Sequence, residues 1–189
     1  MTNTNSLIEI RWHGRGGQGA VTSAELVAQA AISEGKYAQA FPTFGPERRG
    51  APVQAFTRID ATNPIRVRSE VLEPDVVVVF DLTLMASVPV TSGLKPGGLV
   101  ILNTRKPVAE LKSEYGIASK VATVDATTIA REALGVPIVN TTMIGALIKA
   151  TGAINLEPMK ESLQKRFGRL AEANFRAMER AFKETIVGE

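Results

Sequence analysis

The chain has 189 residues, 44% apolar and 22% charged, which suits one globular domain and excludes a disordered or collagen-like chain. It has no cysteine and one histidine, so disulfides, thiolate zinc sites and thiolate-held iron–sulfur clusters are excluded, and histidine chemistry could rest only on His13. The net charge of +3 is mild and its basic residues are scattered, which argues against nucleic acid as a partner. The longest apolar run, Val76 to Phe80, is far too short to span a bilayer. Residues 1–6 lack the marks of a secretory signal, so the expected location is the cytoplasm.

Leu7 to Trp12 is rich in isoleucine and reads as a strand that runs into Gly14-Arg15-Gly16-Gly17-Gln18-Gly19. Ala20 to Ser33 has apolar residues at helical intervals and ends before Gly35. Tyr37 to Phe41 is a short strand, followed by a loop over Pro42 to Gly50 that is dense in proline, glycine and charge. Pro52 to Ile59 and Pro64 to Arg68 flank Asp60-Ala61-Thr62-Asn63 and resemble a hairpin. Val76 to Phe80 is a continuous β-branched run of the kind expected in a central strand covered on both faces.

Leu99 to Leu102 and Lys120 to Val124 are further strands, and Ala126 to Leu134 is a helix with Asp125 as its N-cap. Helices follow over Thr141 to Ala150, Glu157 to Phe167 and Leu170 to Ile186, the last with Phe175, Met178, Phe182 and Ile186 on one face. This alternation predicts an α/β fold: a Rossmann-like open, mostly parallel sheet flanked by helices, with a helical C-terminal segment. The hairpin at Asp60 would add antiparallel edge strands. No repeat or domain boundary interrupts the chain, so residues 1–189 read as a single domain.

Gly14, Gly16 and Gly19 satisfy a G-x-G-x-x-G spacing between strand and helix, where backbone can approach a phosphate and a helix N-terminus presents free N–H groups. A dinucleotide site also needs an acidic residue at the end of the second strand to hold the ribose. That strand reads Tyr37-Ala38-Gln39-Ala40-Phe41-Pro42, without one, and Glu34 precedes it. A free-standing nucleotide-binding oxidoreductase is therefore the rival reading. His13 is expected to be a strand-end histidine bonded to backbone. The loop Phe41 to Val53, with two aromatics, three prolines and two arginines, suits a contact with another subunit or a fold back onto its own domain.

Arg11 to Thr22, Gln39-Ala40-Phe41-Pro42 and Glu47-Arg48-Arg49-Gly50-Ala51-Pro52-Val53 together resemble the gamma subunits of the 2-oxoacid:ferredoxin oxidoreductase family. The resemblance continues through Glu73 to Val79, Val124 to Ala130 and Asn140 to Ala146, and so covers nearly the whole chain. Ala51 follows the pyruvate:ferredoxin oxidoreductase (pyruvate synthase) pattern, where other branches often have glycine. The resemblance implies a Rossmann-like subunit, inactive alone, of an enzyme that converts pyruvate and coenzyme A to acetyl-CoA, carbon dioxide and reduced ferredoxin, or the reverse. It implies alpha, beta and delta partners that hold thiamine diphosphate, magnesium and iron–sulfur clusters, and ferredoxin as the electron acceptor of the complex. No catalytic residue and no metal ligand is expected in this chain. The turn Gly14, Arg15, Gly16, Gly17, Gln18, Gly19 would hold coenzyme A or serve only as tight strand-to-helix packing. Phe41, Phe44, Arg48 and Arg49 are the expected subunit contacts.

Overall fold

The computed structural model describes residues 6–43 and 50–188. In chain order its elements are β1 (Leu7–Arg15), α1 (Ala20–Ser33), β2 (Tyr37–Pro42), β3 (Pro52–Asp60), β4 (Val76–Val79), α2 (Leu84–Ser87), β5 (Leu99–Asn103), α3 (Val108–Tyr115), β6 (Lys120–Val124), α4 (Ala126–Leu134), α5 (Asn140–Thr151), α6 (Met159–Phe167), α7 (Ala171–Glu184) and β7 (Ile186–Gly188). The strands form one sheet in the order β2-β3-β1-β4-β5-β6-β7. β1, β4, β5 and β6 are parallel neighbours, whereas β3 lies antiparallel between β2 and β1, and β7 is antiparallel to β6.

The fold class is the expected α/β open sheet: β1, β2, β4, β5 and β6 run one way, and β3 and β7 run against them. β3 inserts between the two strands that α1 connects and contributes two antiparallel ladders, while β7 adds a third. The predicted hairpin is corrected. Asp60 does close a turn, its carboxylate accepting from the N–H groups of Thr62 and Asn63, but residues 64–68 form no strand and β3 pairs with β1 and β2 instead. Ile186 is not on the last helix. It opens β7 and is exposed, while Met178 is buried and Phe175 and Phe182 pack against the core.

Alternation along the strands sends side chains to two separate cores. Ile10, Trp12, Val78, Phe80 and Ile101 face α1, α4, α5, α6 and α7. Val77, Val79, Val100 and Leu102 face α2 and α3, with Leu84 and Leu111 fully buried among them. Trp12 crosses Phe80 edge-on and its indole N–H donates to the Thr57 hydroxyl at 2.9 Å, so its one polar atom is satisfied.

α5 is buried along Asn140 to Ile148 because helices and sheet surround it. A Cβ on Gly145 would lie 2.1 Å from the Met178 carbonyl oxygen, so only glycine lets α7 pack this closely. α4 begins where the sequence indicates: the Asp125 carboxylate accepts from the Thr128 N–H at 3.1 Å.

Candidate functional site

The carboxyl ends of β1, β4, β5 and β6 share one edge of the sheet. The chain leaves β1 toward β2 on one side, and β4 lies on the other, which makes the β1/β4 boundary a topological switch point. Ligand crevices of open α/β sheets form at such places. A cavity of about 360 Å³ lies there, lined by Gln18, Phe80, Asp81, Asn103, Thr127 and Val139 among others. α1, α4 and α5 all begin at its rim, so three positive helix ends surround it.

The glycine turn forms one wall. Gly16 extends the β1–β3 pairing, its N–H donating to the Ala51 carbonyl at 2.8 Å and its carbonyl accepting from the Gly50 N–H at 3.1 Å. The two features singled out in the sequence, the turn and the end of the Pro42 to Gly50 loop, are therefore joined by backbone hydrogen bonds. Gly17 and Gly19 have φ of 97° and 85°, which strains any other residue. Gly19 also abuts Asn140: a Cβ there would lie 2.9 Å from the Asn140 Nδ2. The Ser23 hydroxyl donates to the Asn140 carbonyl at 3.1 Å, tying the starts of α1 and α5 together.

The interior of the turn is occupied by the chain itself. The Gln18 side-chain oxygen accepts from the Arg15 N–H at 2.7 Å, closing the turn on itself. Arg15 turns its guanidinium to Asp81 at 2.8 Å, the Thr83 hydroxyl at 2.7 Å and the Gly50 carbonyl at 3.2 Å. Burial opposes ionisation of Asp81, but hydrogen bonds from the Thr83 hydroxyl and N–H, and then from Arg15, hold it below the usual carboxylate range. Arg15 thus already has its anion. At the next strand end, the Asn103 amide donates to the Phe80 carbonyl and to the Thr127 hydroxyl, both at 2.9 Å.

Phe41 lies on β2, its ring 5.2 Å from that of Phe56 and beneath the Arg58 guanidinium. Phe44, Arg48 and Arg49 lie outside the described residues. His13 departs from expectation. It is fully inside β1, 2% exposed, and bonded not to backbone but to Arg11, whose Nε donates to the His13 Nε2 at 3.1 Å. Burial, reinforced by the Arg11 charge, pushes the imidazole down to about 3, so the ring is neutral.

Sequence reasoning missed Asp81, Asn103 and Thr127. Their signal was positional: Asp81 follows the valine run of a central strand by one residue and Asn103 ends the next strand, where α/β sheets place ligand-facing groups. Among the described residues no cluster of three or more histidine, aspartate or glutamate side chains is arranged to hold a metal ion. No described helix is long and apolar enough to cross a membrane.

Residues 9–184 match the family model described as pyruvate ferredoxin/flavodoxin oxidoreductase. The chain is 56% identical over 188 residues to the pyruvate/ketoisovalerate oxidoreductases common subunit gamma of Thermococcus kodakarensis, covering 97% of this chain and 100% of that one. It is 50% identical over 181 residues to the pyruvate synthase subunit PorC of Methanocaldococcus jannaschii, covering 95% and 98%. The crystal structure of the pyruvate oxidoreductase subunit PORC of Thermotoga maritima superposes with a TM-score of 0.87 at 40% identity, covering 97% and 99%.

Proposed function

The chain belongs to the pyruvate ferredoxin/flavodoxin oxidoreductase family, and on that premise we propose that it is the gamma subunit of a multisubunit pyruvate:ferredoxin oxidoreductase. That enzyme joins the acetyl unit of pyruvate to coenzyme A, releases carbon dioxide and passes the electrons to ferredoxin, or runs the sequence backwards. The observation that carries this reading is identity above 50% across whole gamma subunits, without a long insertion or a missing part. The role within the enzyme is mainly assembly. Alpha, beta and delta partners hold thiamine diphosphate, magnesium and the clusters, and the complex works in the cytoplasm. A chain without cysteine supplies no thiolate for a cluster, which leaves the clusters to the partners.

The glycine turn acts as a structural joint rather than a coenzyme A site. Arg15 is committed to Asp81, and Gln18 closes the turn on itself. A diphosphate there would have to displace both and face the Asp81 carboxylate. Its ionised oxygens instead hold the joint shut, together with Thr83. The Pro42 to Gly50 loop, with Phe41, Phe44, Arg48 and Arg49, is the proposed contact with a partner subunit, because its far end is anchored to that joint. A relative named as common to pyruvate and ketoisovalerate oxidoreductases favours one further reading. A subunit shared between two enzymes cannot select the 2-oxoacid, so this chain would serve another 2-oxoacid enzyme equally well.

Reconstitution tests the proposal. The purified chain is expected to show no pyruvate-dependent ferredoxin reduction, and activity is expected to appear when alpha, beta and delta chains are co-expressed with it. Turnover by the isolated chain, or full activity of a complex lacking it, would refute the assembly role. Gly16→Val is expected to impair assembly. A variant that assembles normally but has a raised KM for coenzyme A would restore the binding reading of the turn.

A further inference from the structure

Between Pro64 and Pro74 the chain crosses the second face of the sheet as an extended strap rather than a helix. The strap is fixed through its carbonyls. Those of Ile65, Val67, Ser69 and Val71 accept from Gln39 at 2.7 Å, from Arg58 at 3.3 and 2.8 Å, and from Arg11 at 3.3 Å. From Ile65 to Ser69 these are alternate residues, as on one edge of a β-strand, with side chains of the sheet standing in for the neighbouring strand. The chain bends at Ser69, and beyond it the carbonyls of Glu70 and Leu72 are also taken, by Arg58 at 3.4 Å and Arg11 at 3.5 Å. The other edge is open. Among the described residues, the N–H groups and carbonyls of Arg66 and Arg68, which point along it, have no hydrogen-bond partner.

Side chains add a second signal. Val67 is 56% and Leu72 73% exposed, the latter the most exposed large apolar residue described. Arg66 and Arg68 are exposed and have neither an ion pair nor a hydrogen bond among the described residues. An open backbone edge flanked by two free guanidinium groups and the exposed Val67, with Glu70 and Glu73 set beyond the bend at Ser69, fits an extended chain that places carboxylates opposite the arginines.

A second copy of this chain does not fit. Antiparallel self-pairing about Val67 would set Arg66 of one copy against Arg68 of the other, and like charges directly opposite are destabilising. We propose that the outer edge of residues 65–69 is a docking site for an extended, acidic segment of another subunit of the complex, which adds to it as a strand. The proposal rests on the assembly role described above. Because the arginine–carbonyl bonds already order the strap, little conformational entropy is lost on docking.

Hydrogen exchange on the isolated chain and on the co-purified complex tests this. Exchange over residues 66–68 is expected to be fast in the isolated chain and at least 100-fold slower in the complex, on the order of what strand pairing confers. The variant Arg66→Glu/Arg68→Glu should dissociate about tenfold faster from its partners, whereas Arg66→Lys/Arg68→Lys should hold them. A complex that assembles with exchange at 66–68 unchanged would overturn the docking site and leave the assembly role intact, the arginines then guarding an open edge against aggregation. Protection that grows with the concentration of the isolated chain would mean a second copy and would equally overturn it. Failure of the wild-type chain to join any complex would remove the assembly role itself.

Discussion

The second face of the sheet is covered in two different ways. Over β4, β5 and β6 the cover is α2 and α3 and the contacts are apolar, with Leu84, Val90, Leu111 and Ile117 against the valines and leucine of the strands. Over β1, β3 and β2 the cover is the strap, and the contacts are polar. Arg58, 4% exposed, pairs with Glu9 at 2.8 Å and donates to the carbonyls of Val67 and Ser69. Arg11, 7% exposed, has no carboxylate partner among the described residues. Its guanidinium donates to the carbonyls of Val71, Leu72, Val90 and Ser92, and burial lowers its affinity for the proton. Helices satisfy their own backbone, so a helical cover can be held by area alone. An extended cover brings unpaired carbonyls, and donors must be sent up from the sheet to meet them.

Three substitutions probe this contrast, in descending order of effect. Arg11→Met keeps the length of the side chain but orphans buried carbonyls, and is expected to cost about 4 kcal/mol in urea unfolding. It should also speed hydrogen exchange over residues 65–72 while leaving α3 protected. If it costs no more than a surface change, the polar account of the strap is wrong. Leu111→Ala is expected to cost about 3 kcal/mol through the cavity it leaves, with exchange in the strap unchanged. Loosening of the strap by this variant would show that the two halves are one unit.

His13→Gln keeps an acceptor for the Arg11 Nε and is expected to cost about 1 kcal/mol at neutral pH. Its larger effect lies in the pH dependence. The folded imidazole titrates near 3, below an unfolded value near 6.5, so folding favours the neutral ring. The stability tied to it is full above pH 6.5 and falls as the pH drops toward 3, because the unfolded chain binds the proton first. The wild-type chain should therefore lose a few kcal/mol over that interval, and His13→Gln should flatten the decline. An unchanged acid limb would assign the loss to the depressed carboxyls of Asp81 and Asp125 instead.

Much of the scaffold was legible because local signals and tertiary structure agreed. The helix Ala20 to Ser33, the strand Lys120 to Val124 and the Asp125 cap stand where the sequence places them, each marked by its own residues. The failures have physical causes. Residues 64–68 alternate like a strand, with Ile65 and Val67 among polar neighbours, and they are extended. The carbonyls of Ile65 and Val67, however, bond to the side chains of Gln39 and Arg58 instead of a strand, and nothing local announces that. α3 escaped notice because Leu111 is its only buried residue, too little to set a period. β7 has three residues and exists only because β6 lies beside it. The glycine turn was plain, but its closure depends on Asp81, Thr83 and Gly50, all far along the chain, so its spacing alone could not show which partners its backbone and Arg15 would take. Arg11 and Arg58 look like ordinary polar positions on strands, and only the strap reveals why they are inward.

The contact between Gly145 and the Met178 carbonyl bears on the order in which the molecule is completed during its synthesis. α5 emerges from the ribosome with Asn140 to Ile148, all buried in the finished fold, uncovered, and the part of α7 that meets it at Gly145 is made more than thirty residues later. Until then the first face of the sheet has an uncovered seam, and the nascent chain must be shielded or folded quickly once α7 appears. Partners that met the chain before that moment would meet an exposed core in place of the finished surface. Truncations that remove the last helix should therefore yield aggregation rather than a smaller folded chain.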